Sequence, residues 1–270
     1  MKNKNDFSPE HLRYIRKVKS ETIFVFIMRF LILILLLGLW ELFAMLEFID
    51  PFISSSPSRI IKTVKDLFIE NNLLYHMGIT MYETVLGFLI AVVLGYLIAL
   101  LLWWSERTRR IMEPYIVVLN SLPKIALGPI IIVWFGSGSK AIIFMAILIG
   151  IIVAIITMLN GFLATDKNKI LLLKSMGASK IQILIKLVIP GSLPTLISML
   201  KISVGMAWVG SIMGEYLVSR AGLGYLIVYG GQVFKLDLVM TATVVLCVLA
   251  TFMYALVALL EKLIIKYKSN

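Results

Sequence analysis

Six stretches of this chain stay apolar long enough to fill a bilayer: residues 22–46, 79–104, 113–135, 141–163, 195–218 and 238–262, each bounded by charged or turn-forming residues. A span needs about 20 mostly apolar residues to cross ~30 Å of hydrocarbon, where every backbone N–H and C=O must be bonded within the helix. The pattern predicts an all-α integral membrane protein with six transmembrane helices. The first stretch is too long for the apolar part of a secretory leader, and no small-residue cleavage site follows Trp40 and Glu41, so it is expected to remain as a span.

The third stretch breaks the pattern. Its sequence SLPKIALGPIIIVWFGSGSK places Pro123, Gly128 and Pro129 inside an otherwise apolar segment. Proline removes a ladder hydrogen bond and kinks a helix. Freed carbonyls at membrane depth are tolerated where neighbours or a water-filled path satisfy them, which makes this span a candidate wall of a translocation route. A kink that serves packing alone is the plainer alternative. After the first span, Asp50-Pro51 and Ser56-Pro57 mark turns, and Ile60, Ile61, Val64, Leu67 and Phe68 fall at helical spacing, predicting a short amphipathic helix.

The polar interval between the fourth and fifth spans carries the most ordered local chemistry. Thr165 or Asp166 starts a helix, Lys174 complements the dipole in its last turn, and Gly177 supplies a left-handed stop. Ser179 and Gln182 then form a capping box. Ile181, Leu184, Ile185 and Val188 follow at i, i+3, i+4 and i+7, and Pro190 ends the second helix. Small Gly177 and Ala178 leave the turn uncovered, a shape suited to insertion into a partner's groove. An ordinary connecting loop would not need a capped helix.

Composition changes the picture in one respect. The chain is 60% hydrophobic and carries a net charge of +11, with mean hydropathy +0.97. In a soluble protein that charge would point to nucleic acid; here its distribution sets orientation. With the N-terminus in the cytoplasm, Lys2 to Lys19, Arg107 to Arg110, Lys167 to Lys186 and Lys262 to Lys268 all fall inside. Arg59, Lys62, Lys65, Lys140, Arg220 and Lys235 fall outside. The balance places both termini and the 164–194 loop in the cytoplasm, and the basic arm at 1–21 against anionic lipid at the inner surface.

Charged groups at membrane depth cost on the order of 2.5–3.5 kcal/mol on insertion scales, so Glu41, Glu83, Lys124, Lys201 and Glu215 invite functional readings, although most lie near span ends and can snorkel. Glu215, beside Gly210, Ser211 and Gly214, reads as lining a path or gate, or as half of a packing ion pair. Lys124 draws an anion inward or snorkels. Met206 and its apolar neighbours Met199, Trp208 and Met213 contact substrate, fill the core or face lipid. Cys247 reads as apolar filling. His11 and His76, taken as lying outside the spans, share no ligand spacing with Cys or carboxylates, so no metal site is expected. No nucleophile, base and orienting group assemble into a catalytic set. No phosphate loop occurs either; GSGSK at 136–140 lacks the glycine spacing and reads as a turn.

Several blocks together carry a resemblance. The spacing from Gly177 to Leu187-Val188-Ile189-Pro190 looks like the EAA loop of ABC importer permeases, which docks on the ATP-binding subunit. SLPKIALGPIIIVWFG (121–136), VIPGSLPTLISMLKISVGMAWVGSIMGEYL (188–217) and GLGYLI (222–227) resemble the nitrate, sulfonate and taurine permeases, which are binding-protein-dependent type I importers with a MetI-like fold. The match runs from about Thr80 to Lys262; the first 75 residues resemble the family only in layout. Two positions depart from it. Leu171, Leu172 and Leu173 stand where the Glu-Ala-Ala triplet would fall, and Glu83 in TMYETVLGF stands where a basic residue is usual.

The resemblance implies a permease core over 79–262 whose coupling loop, 164–194, meets the ATPase through Lys174, Gly177, Ala178, Ser179, Gln182 and Pro190. Residues 22–46 would be the first span, 47–78 an extracytoplasmic loop and 263–270 a cytoplasmic tail. Pro123, Lys124, Gly128, Pro129, Met206, Gly210 and Glu215 are the candidates for path or gate. It also implies a second copy of the chain, two cytoplasmic ATP-binding subunits that hold the ATP and Mg, an extracytoplasmic substrate-binding protein, membrane lipid around the spans, and the cell membrane of a prokaryote. This chain itself would hold no cofactor, bind no nucleic acid and catalyse nothing. The expected cargo is an alkanesulfonate, taurine, nitrate or similar small anion, with a pyrimidine vitamin precursor as the alternative. A secondary transporter without an ATPase would show inverted repeats and paired midplane ionisable groups; no obvious repeat is present. A non-transporting scaffold would leave the broken span and capped loop incidental.

Overall fold

The computed structural model describes residues 9–70 and 73–268. Helix α1 (Pro9–Met45) leads through the single turn α2 (Pro51–Ser54) to α3 (Pro57–Glu70), α4 (Leu73–Trp104) and α5 (Glu106–Ser121). A 3-10 turn at Lys124–Leu127 precedes α6 (Gly128–Phe135) and α7 (Ser139–Leu163). The next segment comprises α8 (Lys167–Ser175), α9 (Lys180–Ile183), a π-turn (Leu184–Val188) and α10 (Ile189–Gly191). Helices α11 (Leu193–Val218), α12 (Leu223–Gln232) and α13 (Leu236–Lys268) complete the chain. No strand occurs among the described residues.

Helices α1, α4, α7, α11 and α13 are each long and apolar enough to cross a membrane; the pair α5 and Lys124–Phe135 makes a sixth if its two halves are one span. The all-helical, six-segment expectation holds, with corrections. The third span is broken as its prolines predict, and its halves meet at 85°. Pro123 explains the break: it drives the preceding residue out of the helical region, and Leu122 is extended at φ −63°, ψ 134°. Helix α4 begins at Leu73 rather than 79, so His76 lies within it and not outside the spans. Residues 9–21 continue the first span as helix, and α13 overruns residue 262. Helix α12 was not expected at all.

The core is a wedge of three helices. Small residues let α7 lie against α4 and α11 almost backbone to backbone. A Cβ placed on Gly87 would lie 2.5 Å from the Ala146 Cβ, and one on Gly95 2.6 Å from the Ala154 Cβ. From the other side, a Cβ on Gly210 would fall 2.5 Å from the Ala146 Cα, and one on Gly214 2.9 Å from the Ile142 Cα. Helix α13 closes the wedge, packing Met253 and Val257 with Phe88, Val204, Trp208 and Ile212. Across that seam Lys201 pairs with Glu261 at 2.5 Å, so this lysine is held by a carboxylate and does not snorkel. Helix α1 stands apart, its apolar window unburied by the rest of the chain. Its Glu41 accepts from the Ser58 N–H at the start of α3, 3.0 Å.

Residues 1–8, with Lys2 and Lys4, and residues 71–72 and 269–270 lie outside the described residues, as do the side chains of His11, Arg13, Arg16, Lys266 and Lys268.

Candidate functional site

At one end of the wedge, α8 to α10 form a projecting helical elbow. Asp166, not Thr165, caps α8, accepting from the Asn168 N–H at 2.8 Å. The helix ends in a Schellman turn: the Gly177 N–H bonds to the Lys174 carbonyl (3.0 Å) and the Ala178 N–H to the Leu173 carbonyl (2.9 Å). This closure needs the φ of +79° that Gly177 adopts, and nothing lies within 4 Å of where its Cβ would be. Ser179 and Gln182 then cap α9 reciprocally: the Ser179 N–H reaches the Gln182 Oε1 at 2.7 Å, and the Gln182 N–H reaches the Ser179 Oγ at 3.4 Å.

Pro190 does not end this second helix. It lacks the N–H that would return to the Lys186 carbonyl, and its ring would press on that carbonyl in a regular α-helix. The preceding turn widens instead, with the Ile189 N–H bonding back to the Leu184 carbonyl, and α10 continues to Gly191. Widening also divides the expected apolar stripe. Ile183 and Val188 are buried against Ala99, Met158, Phe162 and Met199, with Leu173, Leu184 and Leu187 half-buried beside them. Ile181 and Ile185 face outward, as do Leu171, Leu172 and Met176.

A second polar assembly is buried toward the N-terminal end of α4. The free N–H groups at the start of α12 are taken up by side chains from two other helices. Gly224 N–H donates to Glu215 Oε2 (2.5 Å), Leu223 N–H to Thr80 Oγ1 (2.8 Å), and Gly222 N–H to His76 Nδ1 (3.0 Å). Glycine is required at Gly222, whose φ is +110°, and at Gly224, where a Cβ would sit 2.8 Å from the Glu215 side chain. Glu83 lies alongside, and each carboxyl keeps one buried oxygen without a hydrogen-bond partner, Glu83 Oε2 and Glu215 Oε1. Both glutamates are only 1% exposed, and neither has a salt-bridge partner among the described residues. One turn further along, Thr84 and Ser211 hydroxyls meet at 2.6 Å.

The structure thus separates the residues grouped as path or gate. Pro123 forms the 85° break, and Lys124 bonds back to the Asn120 carbonyl at 3.1 Å. Gly128 packs under Leu217, Pro129 is exposed, and Met206 is half-buried. Gly210 is sealed against Ala146. Glu215 is neither half of an ion pair nor snorkelling; it caps α12. Glu83, also expected near a surface, is fully buried. Among the described residues no cluster of His, Cys, Asp and Glu could hold a metal ion.

The family of binding-protein-dependent transport system inner membrane components matches residues 91–266, which takes in the elbow, α7, α11, α12 and the C-terminal part of α4. This chain belongs to that family. The permease is 25% identical to an aliphatic sulfonates transport permease protein of Bacillus subtilis, covering 87% of this chain and 85% of that one. It is 30% identical to a formylaminopyrimidine transport permease protein of Halalkalibacterium halodurans, over 72% of this chain and 77% of the other. Among solved structures, an inward-facing conformation of the MetNI methionine ABC transporter superposes with TM-score 0.63 at 21% identity, covering 70% of the permease and 94% of that chain. The permease is thus an inner membrane component of a binding-protein-dependent transport system, with the fold of ABC importer permeases and similarity to sulfonate and formylaminopyrimidine transport permeases.

Proposed function

We propose that two copies of the permease enclose a substrate path in the cell membrane, with both termini cytoplasmic. Two ATP-binding subunits dock on the 164–194 elbow through Lys174, Gly177, Ala178, Ser179 and Gln182, with Pro190 setting its exit, and an extracytoplasmic binding protein delivers the cargo. The observation that carries this reading is the elbow itself. It has a Schellman turn and a capping box on the outside, a buried face locking it to α4, α7 and α11, and an exposed face at Leu171, Leu172, Met176 and Ile181. Leu171 and Leu172 stand where the resembled family has the Glu and first Ala of its triplet, so docking here rests on apolar contact where an acidic group would otherwise meet the ATPase. ATP-driven closure of the partner subunits would move the elbow and rock the wedge between inward-open and outward-open states, with Pro123, Lys124, Pro129 and Met206 as candidates to face the path and the capped α12 as gate.

For cargo, an alkanesulfonate or taurine is favoured by the sulfonate relative, and a pyrimidine vitamin precursor by the formylaminopyrimidine relative.

A tagged permease, mildly solubilised from its host, is expected to bring down a phosphate-loop ATPase. Gly177→Trp should lose it, since an ordinary side chain at this φ costs about 1–2 kcal/mol and the indole occupies the docking space. Gly177→Asn, which tolerates the left-handed region, should keep it. Retention of the ATPase by folded Gly177→Trp would refute docking through this turn, as would recovery of the unaltered permease alone.

A further inference from the structure

Lys180 is the first residue of α9, where a cation is misplaced: it sits at the positive end of its own helix dipole. Its side chain leaves that helix altogether. The ammonium donates to the Trp104 carbonyl, the last of α4, and lies over both neighbouring indoles, 5.1 Å from the Trp104 ring and 5.9 Å from Trp103. The terminal carbonyls of α4 lack helical partners and carry the negative end of its dipole, so the ammonium meets the partial charge it lacks at home. Two aromatic faces add cation–π attraction. Trp103 is half-buried and packs against the cluster beneath the elbow, so the exposed lysine grips a helix end that is itself seated on the core.

We propose that Lys180 is the polar tie that, beside the buried apolar face, passes displacement of the elbow into α4. The inference rests on the docking reading above. Helix α4 is suited to carry the movement: from Trp104 to Thr80 it runs unbroken for about 36 Å, and its far end holds Thr80 and His76, which cap α12. One helix therefore connects the ATPase-facing elbow to the α12 closure, and Lys180 fastens its near end. The side chain is a positioning group, because it turns inward to α4 and leaves the Gly177 turn untouched.

The test uses the full complex, with its ATPase and binding protein, in proteoliposomes. Lys180→Met should still recover the ATPase and hydrolyse ATP at the basal rate, yet lose about tenfold in uptake and in stimulation by the loaded binding protein. Lys180→Arg, which keeps the cation, should restore most of both. ATP-dependent change in tryptophan emission should be present in the unaltered complex and in Lys180→Arg, and absent in Lys180→Met. Uptake by Lys180→Met at the unaltered rate would overturn the proposal, as would failure of Lys180→Arg to restore it. Loss of the ATPase from Lys180→Met would also overturn it, making Lys180 a docking residue. If the unaltered permease recovers no ATPase, the docking reading fails and takes this inference with it.

Discussion

Gly210→Val is expected to leave no permease that survives solubilisation as a monodisperse species. A Cβ at this position would lie 2.5 Å from the Ala146 Cα and 3.0 Å from its backbone nitrogen, so the obstacle is main chain and not a side chain able to rotate away. Helix α7 cannot retreat either, because the Ala146 Cβ already fills the notch left by Gly87 on α4. Overpacking a core ordinarily costs ~1–3 kcal/mol and occasionally more; with helices pinned on both faces the cost here should reach the upper end, about 3 kcal/mol or above. Size-exclusion chromatography and thermal unfolding in detergent measure it. Gly205→Ala on the same helix is the control, since nothing lies within 4 Å of its Cβ and alanine gains about 0.5–1 kcal/mol over glycine within a helix. A Gly210→Val permease as stable as that control would mean α7 and α11 are not packed through this seam.

Glu215→Leu should uncouple the permease without unfolding it. The substitution strips the acceptor from the Gly224 N–H and leaves a buried donor unpaired, worth about 1–3 kcal/mol. The loss falls on α12, whose remaining side-chain caps are Thr80 and His76. Faster amide exchange in 222–226 and labelling of a cysteine placed in α12 should report its release, together with ATP hydrolysis that no longer requires loaded binding protein. Glu215→Gln keeps a carbonyl oxygen within reach of Gly224 and should lie much closer to the unaltered protein. Equal behaviour of the Leu and Gln variants would show that Glu215 does not act as a cap.

The spans were legible because a bilayer demands long apolar runs and the chain supplies them. The turn at Gly177 and the capping box at Ser179 and Gln182 were legible for a similar reason, since such motifs complete themselves within a few residues. What escaped was everything decided by a distant neighbour. Thr80, Glu83, Thr84, Gly87 and Ala91 fall at i, i+3, i+4, i+7 and i+11, a polar and small-residue face that the sequence displays openly. Nothing in that spacing says it will meet Ser211 and Glu215 and not lipid. The same holds for His76, whose partner Gly222 lies 146 positions away, and for Lys201, whose partner Glu261 lies 60 positions away. Pro123 announced a break but not its 85° angle, and Pro190 announced a stop where the backbone found room for a wider turn.

The seam of glycines and alanines has a mechanical meaning beyond stability. Where Ala146 fits Gly87 on one side and Gly210 on the other, no loose side chain remains to be squeezed, and α4, α7 and α11 have no internal slack. A body without slack cannot absorb a push at one end; it delivers it at the other. Bending must then concentrate where the seam is missing, at the elbow between α5 and α6 and at the short helix α12, so the stiffness of the wedge dictates where the permease is free to open.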